Sequence, residues 1–359
     1  MPVRTWLIAA IACTVVAGCS SQAPAPTSGT GGGGKPGPSV MLVGAGSTFD
    51  NPFFSRAFFE YSKTHPTIAV NYQSIGSGGG IRQFTAGTVD FGATDVPMSA
   101  KDLAAVPKGR AVIQTPITLG GVAVAYNVSG APPHLKLSPG VLADIFLGKI
   151  TNWSDPKITQ LNPGASFASL PIAVVHRADG SGTTYIFTDY LSQVSPEWKT
   201  RVGTGKTVSW IAPSALGAKG TEGVAGQVRN TPGAIGYIEL SYAMQNDISF
   251  AMLQNKAGRF VLPSTDTVRA AAAEKPNVTP TNFSIVNQPG DTSYPIAGYS
   301  WVLLYEHYAD KNKARALHDL FVWMLSDGQQ LAASVQYVAL PQAAASAAVA
   351  AVNKMGPKE

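Results

Sequence analysis

Val174-Val175-His176-Arg177-Ala178-Asp179-Gly180-Ser181-Gly182-Thr183-Thr184-Tyr185-Ile186-Phe187 reads as a strand, a turn and the opening of a helix. Val174 and Val175 close an apolar run begun at Ile172. Gly180 and Gly182 permit a tight turn and a close approach of backbone to a ligand. Ser181, Thr183 and Thr184 cluster where a helix should start, and Tyr185, Ile186 and Phe187 supply its first apolar residues. A helix start leaves N–H groups unpaired and carries partial positive charge. Arg177 adds a full charge and a planar fork of donors suited to two anion oxygens. The stretch therefore reads as a socket for a small oxyanion. Read alone, it fits equally well a plain glycine turn whose Ser and Thr cap a helix, with Arg177 paired to Asp179.

Similar turns occur upstream. Val40-Met41-Leu42-Val43 is a short strand followed by Gly44-Ala45-Gly46-Ser47-Thr48-Phe49 and Asp50-Asn51-Pro52. Pro52 suits a first helical position, and Phe53, Ala57, Phe58 and Tyr61 share a helix face. Ile68 to Tyr72 is the next strand, leading into Gly76-Ser77-Gly78-Gly79-Gly80 and a helix from Ile81. This is not a Walker loop, because no Gly-Lys-Ser/Thr follows, and the Rossmann spacing also fails. Val89 to Asp95 alternates and stops at Asp95, which a strand end would point into the crevice where open α/β sheets bind ligands. Its plain alternative is a helix cap for Ser99 to Leu103. A carboxylate beside anion sockets is explained if the ligand carries a proton and donates it to Asp95.

Gly121 to Asn127 is a strongly apolar strand and a plausible crossover. Val141 to Leu147 is a short helix ended by Gly148, and Lys157 to Pro171 is loop-like. Glu222 to Arg229 is helical and Ala234 to Ile238 a strand. Ala270 to Asn282 is helix and loop, and Ile296 to Tyr305 a returning strand. Lys311 to Leu325 is a helix ended by Gly328, and Ala343 to Val352 an Ala-rich terminal helix.

A chain of 359 residues suggests two domains. With 26 Lys+Arg against 21 Asp+Glu and no dense basic run, nucleic acid is excluded as a partner. The five His are scattered without ligand spacing, so no metal is expected, and His176 reads as a strand residue turned from the ligand. At the N-terminus, Arg4 and the apolar Leu7 to Ala17 form a targeting signal too short for a permanent span. It ends in Val16-Ala17-Gly18-Cys19, which resembles a bacterial lipobox. That resemblance implies cleavage before Cys19, diacylglycerol on its sulfur, a palmitate-type acyl anchor and a lipoprotein held at the membrane. Cys13 would leave with the signal, so no disulfide is available. Ser20 to Ser39 reads as a flexible tether with a reach of roughly 25 Å.

Together these motifs resemble the periplasmic phosphate-binding proteins of bacterial ABC transporters. The matching segments include Gly44 to Phe49, Gly76 to Gly80, Val89 to Asp95, Ile145 to Ile150 with Trp153, Arg177 to Thr183, Pro232 to Tyr237, and Tyr337 to Pro341. They occur in family order and cover nearly all of the chain after the tether. The resemblance implies a type II-like periplasmic binding protein fold of α/β class: two domains, two hinge crossings and a ligand between them. Residues 1–18 would be signal peptide and 19–39 the lipidated tether. Residues 40–126 with 294–359 would form one domain and 127–293 the other, with crossings near Asn127 and Tyr294.

The family's ligand residues carry over to Thr48, Phe49, Ser77, Asp95, Arg177, Ser181, Gly182 and Thr183, with Asp179 holding the arginine in place. Many relatives have Pro-Ala-Pro where this chain has Asp50-Asn51-Pro52, and Asp50 is expected to serve as a helix-start residue facing away from the anion. The implied function is capture of inorganic phosphate outside the membrane and delivery to ABC permease subunits, by a monomeric binding protein without cofactor or enzymatic activity. The rival readings are a secreted phosphatase using Ser181 and a binder of another oxyanion such as sulfate or molybdate. No base beside Ser181 and no metal-ligand cluster supports the first. Asp95 argues against a fully ionised dianion.

Overall fold

The structure, a computed structural model, describes residues 39–357 apart from 166 and 168. The signal peptide, Cys19 and all but the last residue of the tether lie outside the described residues. From the first strand the chain alternates: β1 (Val40–Gly46), α1 (Asn51–Thr64), β2 (Ile68–Ser74), α2 (Ser77–Ala86), β3 (Phe91–Thr94), α3 (Ala100–Ala104) and β4 (Val112–Tyr126). There follow β5 (Lys136–Leu137), α4 (Pro139–Phe146), α5 (Pro156–Thr159), β6 (Ala173–Arg177), α6 (Gly182–Val194), α7 (Pro196–Arg201), β7 (Ala215–Ala218), α8 (Gly220–Asn230), β8 (Ala234–Glu239) and α9 (Leu240–Gln245). The last part holds β9 (Met252–Gln254), β10 (Phe260–Val261), α10 (Thr265–Ala273), β11 (Ala297–Tyr305), β12 (His307–Tyr308), α11 (Lys311–Leu325), a 3-10 helix (Asp327–Val335), α12 (Gln342–Val352) and β13 (Gly356–Pro357).

Eight strands form one sheet in the order β2-β1-β3-β11-β4-β8-β6-β7. This is a mixed α/β fold built on a single large sheet. β1 runs parallel to β2 and β3, whereas β11 returns antiparallel between β3 and β4. In the other half β6 is parallel to β7 and β8. β4 belongs to both halves: Val112 to Gly121 pairs with β11, and Val122 to Tyr126 pairs with β8. The switch of partner falls between Gly121 and Val122.

β4 starts nine residues before the apolar part, Gly121 to Asn127, that marks it in the sequence, because Pro116 breaks that pattern. Proline has no N–H for a ladder and is tolerated at an irregularity. Here the register shifts at Ser300/Trp301, so that Trp301 faces Pro116 while Ser300 faces Thr118, and Ile117 is the extra residue.

Each half has its own aromatic packing. Phe54 lies 5.0 Å from Tyr72 and Phe91 5.1 Å from Phe321 between ring centroids. In the other half Phe187 stacks on Tyr237 at 4.4 Å and meets Phe146 at 4.7 Å. Both groups belong to one continuous hydrophobic core, which also takes in Leu42 of β1, Phe91 of β3 and Val174 of β6. α3 is closed by a capping box between Ser99 and Asp102, which leaves Asp95 out of any capping role. The stretch Lys157 to Pro171, read as loop, contains the short α5.

Candidate functional site

Three strand-to-helix turns converge. The turn after β1 carries Ser47, Thr48 and Phe49, the turn after β2 carries Ser77, and the turn after β6 carries Asp179 to Gly182. Asp95 follows β3. All eight expected ligand residues are buried. Hydrogen bonds tie most of them together. Ser77 Oγ donates to Asp95 Oδ2 at 3.3 Å and accepts the Gly182 N–H at 3.1 Å. The Gly78 N–H donates to the Gly180 carbonyl at 2.8 Å, so backbone also bridges the two halves. Gly182 is needed here: a Cβ at that position would lie 2.5 Å from Asp95 Cβ.

Asp95 is the hub. Its Oδ1 accepts from the Ser300 hydroxyl at 2.8 Å and from the Ser47 hydroxyl. Burial pushes its carboxyl up, while Ser47, Ser300, Arg177 and Ser77 pull it back towards the charged form. These donors satisfy an ionised carboxylate and leave it able to accept one more proton-bearing group.

Arg177 is 4% exposed. Its Nε donates to Asp179 Oδ1 at 2.8 Å and its Nη2 to Asp179 Oδ2 at 2.5 Å, a bidentate pair. Asp179 Oδ1 also accepts the Gly220 N–H at 3.0 Å. Burial acts against the Asp179 charge, but Arg177 and the Gly220 N–H hold its carboxyl below the ordinary range. Arg177 Nη1 is left facing Thr221 Oγ1 at 3.4 Å. The strand below is fixed by Tyr237, whose hydroxyl accepts the Arg177 N–H at 3.1 Å.

At the start of α6, Ser181 Oγ accepts the Thr184 N–H at 3.1 Å, and the Ser181 N–H donates to the Lys206 carbonyl at 2.9 Å. The plain reading of this turn is thus present in both its parts: Ser181 caps the helix and Arg177 pairs with Asp179. Neither excludes a ligand, because the Ser181 hydroxyl proton remains to donate. Thr183 Oγ1 is buried and has no hydrogen-bond partner among the described residues. A buried polar atom without a partner is costly, which makes Thr183 a donor suited to an anion. The Phe49 N–H is directed to Ser47 Oγ at 3.0 Å. Thr48 Oγ1 lies 2.9 Å from Thr221 Oγ1 and accepts the Thr221 N–H at 3.2 Å.

Several members were not singled out in the sequence. Thr221 stands in the first turn of α8 and touches both Thr48 and Arg177, one residue before the helix that the sequence marks from Glu222. The Gly220-Thr221 pair ahead of an apolar-periodic stretch was its available signal. Ser300 lies within an apolar strand and gave no signal. Ser47 stands in the first glycine turn and was passed over for its neighbour Thr48. His176 is turned from the network as expected: its ring stacks on Trp210 at 4.7 Å and its Nδ1 lies 2.9 Å from the Arg177 carbonyl oxygen.

Asp50 departs from expectation. It does stand at the start of α1, but its side chain makes no cap. The carboxyl is fully buried, and both oxygens lack partners among the described residues. It faces inward, where Asp95 and Glu239 act on it. Glu239, at the end of β8, is also fully buried and caps α9 by accepting the Ser241 N–H at 2.8 Å. Among the described residues no group of three or more His, Cys, Asp or Glu is arranged to hold a metal ion, and no helix is long and apolar enough to cross a membrane.

Comparison with known proteins agrees with this geometry. Residues 20–328 match the model of the PBP superfamily domain. Over 304 residues the chain is 45% identical to the phosphate-binding protein PstS of Pasteurella multocida, covering 84% of this chain and 86% of that one. It is 42% identical over 306 residues to the phosphate-binding protein PstS of Xylella fastidiosa, covering 84% and 82%. The solved phosphate-binding protein from Stenotrophomonas maltophilia shares the fold with a TM-score of 0.70 at 19% identity, covering 86% of this chain and 93% of that one.

Burial raises the Glu239 carboxyl well above its ordinary value of 4.5, against the pull of the Ser241 N–H. The folded protein therefore holds this proton more tightly than the unfolded chain does. Stability from this group is complete below the unfolded value and falls as pH rises towards the folded one. Glu239→Gln keeps an acceptor for Ser241 and removes the titration. Denaturation midpoints of variant and parent should lie close together near pH 4. They should separate in favour of the variant towards pH 7, by about 1.4 kcal/mol for each unit between folded and unfolded values. A gap independent of pH would contradict the assignment.

Proposed function

The chain belongs to the phosphate-binding protein family within the PBP superfamily, and from that premise we propose that it captures inorganic phosphate outside the cytoplasm for delivery to an ABC-type importer. It works as a binding protein and not as an enzyme. The observation that carries this reading is Asp95, a buried acceptor among donors. Thr183, Ser181, Thr48 and Arg177 offer hydrogens to a tetrahedral anion. Asp95 alone asks for one in return. Phosphate near neutral pH keeps at least one proton, whereas sulfate has none.

The division into residues 40–126 with 294–359 and residues 127–293 is part of the same proposal. The two bodies would close on the ligand as a hinge, with ligand groups drawn from both. Delivery requires a second surface that meets the permease's transmembrane subunits, and a monomer satisfies that requirement. Cys19, outside the described residues, is proposed to carry the lipid that keeps the protein at the membrane.

A secreted phosphatase is disfavoured by Ser181 itself. Its oxygen accepts the Thr184 N–H, and among the described residues no base is hydrogen-bonded to it. A hydroxyl so placed binds an anion but is not activated as a nucleophile.

Calorimetry with phosphate and sulfate tests the reading directly. Wild-type protein should bind phosphate at least tenfold more tightly than sulfate for each roughly 1.4 kcal/mol of penalty at Asp95. An unpaired buried acceptor costs about 1–3 kcal/mol, and more when charged. Asp95→Asn should keep phosphate binding and narrow the ratio, since the amide can turn a donor to either anion. Equal binding of the two anions by wild type would remove the basis of the proposal. Arg177→Ala should weaken phosphate by on the order of 2–4 kcal/mol, the scale for truncating one partner of a buried charge pair. A change of a few tenths would assign Arg177 to structure alone. For the anchor, Cys19→Ala should release the protein into a soluble fraction or block its processing, and unchanged membrane fractionation would refute lipidation at this residue.

A further inference from the structure

Thr221 joins two donors of the site that come from different turns. Its Oγ1 lies 2.9 Å from Thr48 Oγ1, in the turn after β1, and accepts from Arg177 Nη1 at 3.4 Å, at the end of β6. Its N–H donates to Thr48 Oγ1 at 3.2 Å. Thr221 and Thr48 are each 1% exposed, which keeps bulk water from these bonds. The local chain fixes the place of Thr221. Gly220 before it takes φ +73°, which an L side chain rarely adopts, and the Gly220 N–H is spent on Asp179 Oδ1 at 3.0 Å. Two successive N–H groups at the start of α8 thus serve Asp179 and Thr48, and the Thr221 hydroxyl serves Arg177.

An inventory of protons gives these bonds a direction. A guanidinium only donates, so Thr221 Oγ1 is the acceptor towards Arg177, and the second hydrogen of Nη1 stays for an anion. Each threonine hydroxyl has one proton, and the contact between them takes only one of the two. If Thr48 gave its proton to Thr221, the Thr221 proton would meet no acceptor among the described residues, and Thr48 would have nothing to offer a ligand. A buried donor left unpaired is costly. If Thr221 gives its proton to Thr48, then Thr48 Oγ1 accepts both the N–H and the O–H of Thr221, and its own proton is free for the site. With an anion present, the second arrangement places every proton and the first strands one. Arg177 also polarises the Thr221 hydroxyl, which makes it the better donor of the two. We propose that Thr221 is a positioning residue of the anion site: it takes a hydrogen from Arg177 and passes its own to Thr48, so that the Thr48 hydroxyl proton is turned to phosphate. The bonds run head to tail from Arg177 through Thr221 and Thr48 to the ligand, and each strengthens the next.

This inference rests on the phosphate reading above, and its test separates the two. Calorimetry with inorganic phosphate compares variants. Thr221→Val keeps the shape and the N–H but removes the hydroxyl, and should bind phosphate about fivefold more weakly, the scale of one hydrogen bond. Thr221→Ser restores the hydroxyl and should bind within about twofold of the parent. In a Thr48→Val background, Thr221→Val should cost less than about twofold more, because its hydroxyl acts through Thr48. A merely structural role would give the same loss in both backgrounds. Neutron diffraction of the phosphate-loaded protein reads the direction without any variant: the deuteron between the two threonines should lie on Thr221 Oγ1, and that of Thr48 should point to the ligand. A deuteron on Thr48 in that contact, undiminished binding by Thr221→Val, or full additivity with Thr48→Val overturns the proposal. If Thr221→Val does not fold, the deuteron positions decide. Failure of the wild type to bind phosphate overturns the phosphate reading and this inference with it, whereas normal wild-type binding with an unaffected Thr221→Val overturns the inference alone.

Discussion

The pair of buried Arg177 and half-buried Asp179 sets the terms for the rest of the site. An arginine at 4% exposure needs a partner, and Asp179 supplies one through two parallel bonds. The pair is close to neutral, so it contributes little long-range attraction. What remains for an anion is one directed guanidinium nitrogen and a set of hydroxyl and amide hydrogens. Such a site selects by the positions of donors and acceptors and not by charge alone. That is why a single acceptor, Asp95, matters so much within it. It also explains the three glycine turns: backbone and short side chains give dense, fixed donors where long cationic side chains would crowd.

Much of this was legible in the sequence because it is local. A strand, a glycine turn and a Ser/Thr-rich helix start are readable within a dozen residues, and Thr48, Ser77, Asp95 and Arg177 all sit on such units. The two-domain α/β fold was implied by the family resemblance that these units carry. What stayed hidden is what depends on distant partners. Thr221 meets Thr48 across 173 positions, and Ser300 meets Asp95 across 205. Nothing near Ser300 marks it, since its neighbours are those of any buried strand. Pro116 hid the first half of β4, because its compensation is a bulge against Ser300 and Trp301 on another strand. Asp50 was read from its position at a helix start, where a carboxylate is ordinarily exposed and favourable. Burial reverses that expectation, and burial is not visible in a window of sequence.

The sheet itself explains how groups from its two halves meet in register. β4 passes unbroken from one half to the other and exchanges β11 for β8 between Gly121 and Val122. Asp95 and Ser300 lie on the β11 side of that point, and Glu239 pairs directly with Val122. Glu239 is therefore buried where the halves are joined, and a change of charge there acts on the packing of the junction. Tyr242 ties the same place together, its hydroxyl donating to the Thr48 carbonyl at 3.0 Å from the opposite half. Since Thr48 is also bonded to Thr221, one residue of the first glycine turn reads both the helix opened by Gly220 and the helix capped by Glu239. The positions of these donors and the packing of the junction are thus properties of one connected set of bonds.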